Sequence, residues 1–176
     1  MTHLSTKKVV YGGLLIAIGL VLPQAFHMFG SDAGKMFLPM HIPVILSGML
    51  LGPVWGLLAA LMIPLLSSLI FSMPAVPMLW FMLFELAAYA LVSGFLAKRK
   101  WNVYLNLAVT ILCGRIVYGL SLAAGVYLLQ VNYPFANAAA FFAGLVQGLP
   151  GVVIQLVLIP LIMLALKKGG LLLDKA

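Results

Sequence analysis

The amino-acid sequence predicts an all-α integral membrane protein with six transmembrane helices, and three observations lead to this fold class. Of the 176 residues, 65% are hydrophobic and only 7% are charged, whereas soluble domains have roughly 45–50% apolar and about 25% charged residues. Long apolar segments alternate with short polar ones, and most basic residues are gathered in three clusters. We expect one six-helix transmembrane domain over residues 1–176.

The composition also excludes other classes of protein. Disordered chains are poor in apolar residues, and the single Cys113 rules out a disulfide scaffold. A net charge of +7 would suggest nucleic-acid binding in a soluble protein. Here the basic clusters flank apolar segments, as the positive-inside rule describes. We therefore expect a lipid bilayer around the chain and no nucleic-acid partner.

The first predicted helix runs from Val9 to Phe29 and follows Lys7-Lys8. A helix needs about 20 residues to cross the hydrocarbon core, and this segment is long enough. It has no small-residue cleavage site ahead of a polar domain, so we interpret it as a retained helix rather than a signal peptide. The glycine-containing polar stretch from His27 to Lys35 predicts a loop.

The second and third helices come from a long uncharged run over residues 36–79. One helix of that length would measure about 66 Å, more than twice the hydrocarbon thickness. Gly52-Pro53 is the natural turn, since proline stops a helix and glycine frees the backbone. The sequence therefore predicts a short helix near 41–52, a helix near 54–71 and a break at residues 72–77.

The last three helices are bounded by basic clusters and one polar turn. They are predicted over residues 78–97, 103–130 and 138–166. The first of them ends at Lys98-Arg99-Lys100, Asn132-Tyr133-Pro134 forms the turn after the second, and the third ends at Lys167-Lys168. With six helices all three basic clusters fall on one side, so both termini are predicted to be cytoplasmic.

Two ionisable side chains, Glu85 and Arg115, lie deep within predicted helices. Charges inside a membrane span are costly and indicate a functional site. At 1.5 Å per residue both lie about 20 Å above the cytoplasmic edge, on consecutive antiparallel helices. We expect them to meet, either as a structural ion pair, as the lining of a solute cavity, or as both.

Other polar residues fall at a similar depth or nearer the outer surface. Ser67 and Gln155 are predicted at the level of the pair, and Tyr89 and Tyr118 share its helix faces through i+4 and i+3 spacing. His41 stands between Pro39 and Pro43, where we expect proline to prevent regular helix and shape an entry segment. Nearer the outer surface are Gln147, Gln130 and Asn132. The predicted substrate-binding residues are His41, Ser67, Glu85, Tyr89, Arg115, Tyr118, Gln147 and Gln155.

Metal binding and catalysis find little support in the sequence. The histidines are His3, His27 and His41, without a cysteine pair or zinc-ligand spacing. No second carboxylate lies in a predicted span to form a dyad with Glu85, and no nucleophile-elbow, zinc-protease or phosphate-loop motif is present. We predict no metal site, no catalytic residue and no cofactor in this chain.

The first helix contains a pair of small residues, Gly13 and Ala17. Small residues four apart allow another helix to approach closely. The approaching helix is either another helix of the same bundle or part of a partner subunit.

These features together resemble the substrate-binding S components of energy-coupling factor (ECF) vitamin transporters. The resemblance covers nearly the whole chain: six helices, a basic N-terminus and a small-residue motif on helix one. The segments that carry it are Phe37–Gly56, Pro64–Ser68, Glu85-Leu86, Gly114-Arg115 and Gly148–Gly151.

The resemblance implies a mechanism and partners. Such a component captures a vitamin or vitamin precursor from outside, with its first loop as a gate. It associates with a membrane T subunit and two cytoplasmic ATPases, which use the ATP, and topples in the bilayer to release its cargo. Gly13 and Ala17 match the motif that meets the T subunit, although Gly13 departs from its usual alanine. A bacterial or archaeal cell membrane is the implied location.

The sequence leaves the substrate open among ring-containing or acidic vitamins and precursors. An Arg115-centred site suits an anionic group such as the carboxylate of pantothenate, whereas neutralisation by Glu85 favours a polar neutral ligand. Pyrimidine-like, pyridoxine-like and cobalamin-precursor compounds such as α-ribazole are candidates. The alternative functions are an autonomous ion-coupled carrier and, with less support, an intramembrane enzyme.

Overall fold

The computed structural model describes residues 6–28, 30–127 and 138–172, and the regular elements in this part of the chain are helices. They are α1 (Thr6–His27), α2 (Ser31–Phe37), α3 (His41–Leu51), α4 (Pro53–Phe71), α5 (Met78–Lys98), α6 (Val103–Tyr127), α7 (Ala138–Gln147) and α8 (Leu149–Lys168). Six segments are long and apolar enough to span a membrane, with α2 and α3 counted together. The predicted all-α class and six spans are confirmed. Gln130 and the Asn132-Tyr133-Pro134 turn lie outside the described residues.

The stretch predicted as the first loop contains a helix, α2, so that part of the prediction is wrong. Asp32 lies in its first turn and accepts a hydrogen bond from Lys35 Nζ at 3.1 Å. The backbone N–H of Leu38, in the left-handed conformation, donates to the carbonyl of Gly34 and ends the helix. The far end of α2 packs on α8, where a Cβ on Gly151 would lie 2.7 Å from the Phe37 carbonyl oxygen. Gly34 lies within α2, and a glycine inside a helix costs roughly 1 kcal/mol in helix propensity. The packing of α2 on α8 offsets this cost.

Regular helix begins at His41, contrary to the expectation that the flanking prolines prevent it there. Pro43 is the third residue of α3. The first backbone N–H groups of a helix have no intrahelical acceptor, so a proline in the first turn removes no hydrogen bond. The turn before α3 is closed by His41 N–H donating to the Leu38 carbonyl at 3.1 Å.

The predicted sixth helix is two helices, α7 and α8, which meet at Gly148. Pro150 occupies the first turn of α8. Because proline has no N–H and its ring clashes with the preceding turn, a helix from α7 does not continue through it. The membrane span is therefore α8 alone, and α7 is a separate short helix.

The short helix α3 forms the centre of the bundle, against α1, α4, α5 and α8. Ten of its residues are buried, from His41 to Met49 and Leu51. Glycines allow α3, α4 and α5 to approach closely: a Cβ on Gly56 would lie 2.7 Å from Gly48 Cα, and one on Gly94 would lie 2.6 Å from Pro53 N. Such small residues at helix crossings are typical of membrane bundles.

Buried hydrogen bonds join α3, α5 and α6 in the half of the bundle nearer the basic clusters. Asn106 Nδ2 donates to the Ser93 carbonyl at 3.0 Å, and Thr110 Oγ1 donates to Asn106 Oδ1 at 3.0 Å. Ser93 Oγ donates to the Ile45 carbonyl of α3 at 3.3 Å. These contacts fix the helices that carry the candidate site.

Candidate functional site

A cavity of about 620 Å³ lies at one end of the bundle, within the range of about 300–1,000 Å³ usual for small-molecule sites. It is formed where α1, α4 and α6 end and where α3 and α5 begin, under α2 and α7. The lysine clusters lie at the opposite ends of α1, α5 and α8. The positive-inside rule therefore predicts that the cavity faces outward.

An ion pair between Glu85 of α5 and Arg115 of α6 forms part of the cavity wall. Arg115 Nη1 lies 3.0 Å from Glu85 Oε1. The Glu85 side chain is 4% exposed and that of Arg115 is 17% exposed. The structure brings together the two residues that their matched depth predicted to meet, and the pair both joins the helices and borders the cavity.

Tyr89 contacts Glu85 on the side away from the cavity lining. Its hydroxyl donates to Glu85 Oε1 at 2.8 Å, and the side chain is buried between α5 and α6 rather than in the cavity wall. Gly114 makes room for it, because a Cβ at that position would overlap the Tyr89 ring. Tyr89 therefore positions the carboxylate, and its predicted direct contact with a ligand has no support from the lining.

The junction of α7 and α8 lies close to Arg115. A Cβ on Gly148 would lie 3.1 Å from Arg115 Nη2 and 3.2 Å from Leu38 Cδ1. The glycine at the helix break thus leaves space for the guanidinium group. The split of the predicted sixth helix and the position of Arg115 are parts of one arrangement.

His41, the first residue of α3, lines the cavity beside the ion pair. Its ring is in edge contact with that of Tyr89, with centroids 5.2 Å apart. Nε2 lies 3.6 Å from Glu85 Oε1, too far for a hydrogen bond. In the described part of the chain neither ring nitrogen has a hydrogen-bond partner, although His41 is only 3% exposed.

The other predicted site residues occupy different positions. Ser67 lines the cavity, with its hydroxyl donating to the Met73 carbonyl at 2.7 Å. Tyr118 lines it as well and stacks on Phe141, with centroids 6.1 Å apart, and Gln147 reaches it from the end of α7. Gln155 is buried on α8 outside the lining, and its Nε2 has no partner among the described residues.

Several lining residues were not predicted from the sequence. They include His27, Lys35, Met73, Met78, Met82 and Phe141. His27 and Lys35 belong to a segment interpreted as a loop, and the methionines have no chemistry that marks a site. Their only sequence signal is position, since they flank the outer ends of predicted helices. Within the described ranges, no group of three His, Cys, Asp or Glu side chains could hold a metal ion.

Gly13 and Ala17 are exposed on the face of α1 that points away from the bundle. A Cβ on Gly13 would meet nothing within 4 Å, whereas Gly12 and Gly19 face Leu51 and Ile63 of the bundle. The alternative that the Gly13–Ala17 pair packs within the bundle is therefore wrong for the described residues. The pair presents a small-residue surface to lipid or to a partner.

Comparison with known proteins identifies the family of the chain. The family model for the substrate-specific component of ECF transporters matches residues 7–163. The chain belongs to this family. The match includes α1 to α7 and most of α8, and so includes each lining residue of the cavity. No curated protein and no solved structure matched the chain.

Membership places the protein among substrate-specific subunits of ECF transporters, a family of transporter components rather than enzymes. Together with the six apolar helices, it establishes a multi-pass membrane protein. The cavity with its buried ion pair is the candidate substrate site.

Proposed function

We propose that this ECF substrate-specific component captures a small vitamin or vitamin precursor in the cavity bordered by His41, Glu85 and Arg115. The observation that carries the proposal is the buried ion pair in the wall of a ligand-sized cavity, at the end of the bundle opposite the basic clusters. Buried ionisable groups in a membrane protein typically mark a substrate pathway. The remaining lining is mostly apolar and aromatic, which suits a ring-containing ligand. Its other polar residues are His27, Lys35, Ser67 and Gln147.

Delivery into the cell is proposed to require a T subunit and two cytoplasmic ATPases, as in the family to which the chain belongs. Most of the described chain lies in six helical segments long and apolar enough to span a membrane, and ATP would be hydrolysed by the partners. The exposed Gly13–Ala17 surface of α1 is the proposed contact with the T subunit, since small residues allow close helix approach. A bacterial or archaeal cell membrane is the proposed location.

The direct test is to purify the full chain without added ligand and identify bound small molecules by mass spectrometry. A binding titration against a panel of vitamins and precursors follows. We expect one compound to co-purify and to bind in the titration. If no compound co-purifies and none of the panel binds, the proposed function is wrong.

Arg115→Ala tests the assignment of the site. It removes a cavity-lining cation and leaves Glu85 without its ion-pair partner, so we expect binding of the co-purified compound to be lost. Lys167→Ala is the control, because it removes a cation at the opposite end of the bundle. Unchanged affinity in Arg115→Ala, in protein that remains monodisperse, would place the ligand elsewhere.

A further inference from the structure

Apart from the histidines His27 and His41, each charged residue that lines the cavity is paired with an opposite charge. These charged residues are Lys35, Glu85 and Arg115 among the described lining residues. Lys35 Nζ lies 3.1 Å from Asp32 Oδ1, and Arg115 pairs with Glu85 at 3.0 Å. The sequence between Arg115 and Lys167 contains no charged residue, so residues 128–137 add none. Taken with Asp32, and with both histidines neutral, the acidic and basic groups at the cavity sum to zero.

A ligand with a net charge would therefore meet no uncompensated charge of opposite sign. Much of the cavity lining is apolar, with Met40, Met78 and Met82 among its residues. Moving an ion from water into such a site is unfavourable unless an opposite charge receives it. Glu85 and Arg115 already compensate each other, so the cavity favours an uncharged ligand.

His41 indicates where the polar part of that ligand binds. Both ring nitrogens lack a hydrogen-bond partner in the described structure, with Nε2 3.6 Å from Glu85 Oε1. The residue lines the cavity and is 3% exposed. A neutral imidazole presents one donor and one acceptor, and leaving such groups unpaired in a buried position is unfavourable. A ligand hydroxyl, amide or ring nitrogen would supply the missing partner.

The rings of Tyr118 and Phe141 give the cavity an aromatic wall. The two stack with an interplanar angle of 21° and both line the cavity. Aromatic side chains arranged in this way favour a planar ring in offset stacking. The aromatic wall and His41 together favour a flat molecule with at least one hydrogen-bonding polar group.

We infer that the ligand is an uncharged heterocycle that hydrogen-bonds to His41 beside the neutralised Glu85–Arg115 pair, rather than a carboxylate or a cation. The inference rests on the proposed function and narrows it. Among the candidates left open by the sequence, it favours the pyridoxine-like, pyrimidine-like and ribazole-like compounds over pantothenate.

Matched pairs of compounds that differ in charge test the inference with the full chain in lipid nanodiscs. The probes are pyridoxine against 4-pyridoxate, nicotinamide against nicotinate, and pantothenol against pantothenate. In any pair that binds, we expect the neutral member to bind at least about a hundredfold more tightly. A carboxylate that binds as tightly as its neutral partner would overturn the inference. If none of these probes binds, the net charge of the co-purified compound at pH 7 is the test. An uncharged compound supports the inference, and a charged one overturns it.

Glu85→Gln should change the charge preference of the site. It leaves Arg115 uncompensated, so the affinity ratio of carboxylate to neutral member should rise by about tenfold or more. Lys167→Gln is the control: it changes the charge by one unit at an exposed position at the opposite end of the bundle. Solvent screens that position, and the ratio should stay within about twofold. An unchanged ratio in Glu85→Gln would contradict the inference.

His41→Phe supplies a second measurement that keeps both Glu85 and Arg115 in place. It keeps an aromatic ring but removes both hydrogen-bonding atoms, so the neutral ligand should bind about ten- to a hundredfold more weakly. His41→Gln, which keeps a donor and an acceptor, should retain most of the affinity. Equal affinity in wild type and His41→Phe would exclude the hydrogen bond.

Absence of any ligand would refute the proposed function itself, whereas a charged ligand would refute only the inference that the ligand is uncharged.

Discussion

At the scale of single residues, the rarity of charge in this chain makes Glu85 and Arg115 informative. A side chain that can ionise is kept inside a membrane only where a partner or a function compensates it. The two residues lie at matched depth on neighbouring antiparallel helices, and from this we predicted that they would meet. The contact at 3.0 Å agrees with that prediction.

The hydrogen bond from Tyr89 to Glu85 should contribute measurably to stability. Tyr89→Phe removes a donor at 2.8 Å from a buried carboxylate, and hydrogen bonds to charged groups contribute about 1.5–3 kcal/mol. We expect the free energy of unfolding to fall by about that amount, measured by thermal or denaturant unfolding in detergent. Tyr104→Phe, at a tyrosine that is 61% exposed, is the control and should change little. Equal stabilities in the two variants would show that the Tyr89 hydroxyl has no such role.

His41 shows the limit of prediction at this scale. Its position beside prolines drew attention to it, but the sequence gives no indication that its ring nitrogens lie 3.6 Å or more from the nearest charged partner and lack hydrogen bonds. That property depends on how α3 is packed against α5, which no local pattern records.

At the scale of helices, the central position of α3 depends on glycines at its crossings with α4 and α5. Gly48, Gly56 and Gly94 each lie against a neighbouring backbone or a short side chain. Because protein interiors are densely packed, an added methyl group at such a crossing must separate the helices. The geometry of the cavity lining depends on the same crossings, since the lining residues His41 and Glu85 belong to α3 and α5.

Gly94→Ala should therefore destabilise the bundle. The new Cβ would lie 2.6–2.9 Å from backbone atoms of Gly52 and Pro53, which do not move away as a flexible side chain does. We expect a loss of about 1–3 kcal/mol in the free energy of unfolding. Gly13→Ala is the matched control: its Cβ meets nothing within 4 Å, and the higher helix propensity of alanine should stabilise α1 by up to about 1 kcal/mol. A destabilisation of similar size in both variants would contradict this account of the crossing.

Two elements differ from the sequence-based prediction, each for its own physical reason. A glycine-containing stretch became helix α2 because it packs on α8, and the sixth predicted helix became α7 and α8 because Pro150 begins a new helix at Gly148. Composition decides whether a segment is apolar enough to lie in a membrane. It does not decide where a helix breaks, because the break also depends on neighbours such as the Arg115 guanidinium group beside Gly148.

At the scale of the whole molecule, the charges divide the bundle into two ends. The lysine clusters gather at one end and the cavity opens at the other, an arrangement that suits capture of a solute from outside. The cytoplasmic position of both termini remains a prediction from the positive-inside rule.

Binding of partners and binding of ligand should be separable, because their proposed surfaces lie on different parts of the molecule. Gly13→Leu places a bulky side chain on the small-residue surface of α1, far from the cavity lining. We expect it to abolish co-purification of the T subunit and ATPases from native membranes while the small-molecule ligand is retained. Ala108→Leu, at an exposed small residue of α6, is the control and should keep the complex. Intact complexes in Gly13→Leu would move the contact away from this part of α1.

The sequence by itself determined the membrane environment, the number of spans, the family resemblance and the depth of the buried ion pair. These follow from composition, from the fixed rise of a helix and from the thickness of a bilayer, which act along the chain. Only the tertiary structure decided that Tyr89 stands behind Glu85, that Gln155 lies outside the cavity lining and that Gly13 faces away from the bundle. Rotation about the helix axis and the break at Gly148 set these positions, and both depend on packing between residues distant in sequence. The physical reason is that a helix fixes the height of its side chains, whereas its neighbours fix the direction in which they point.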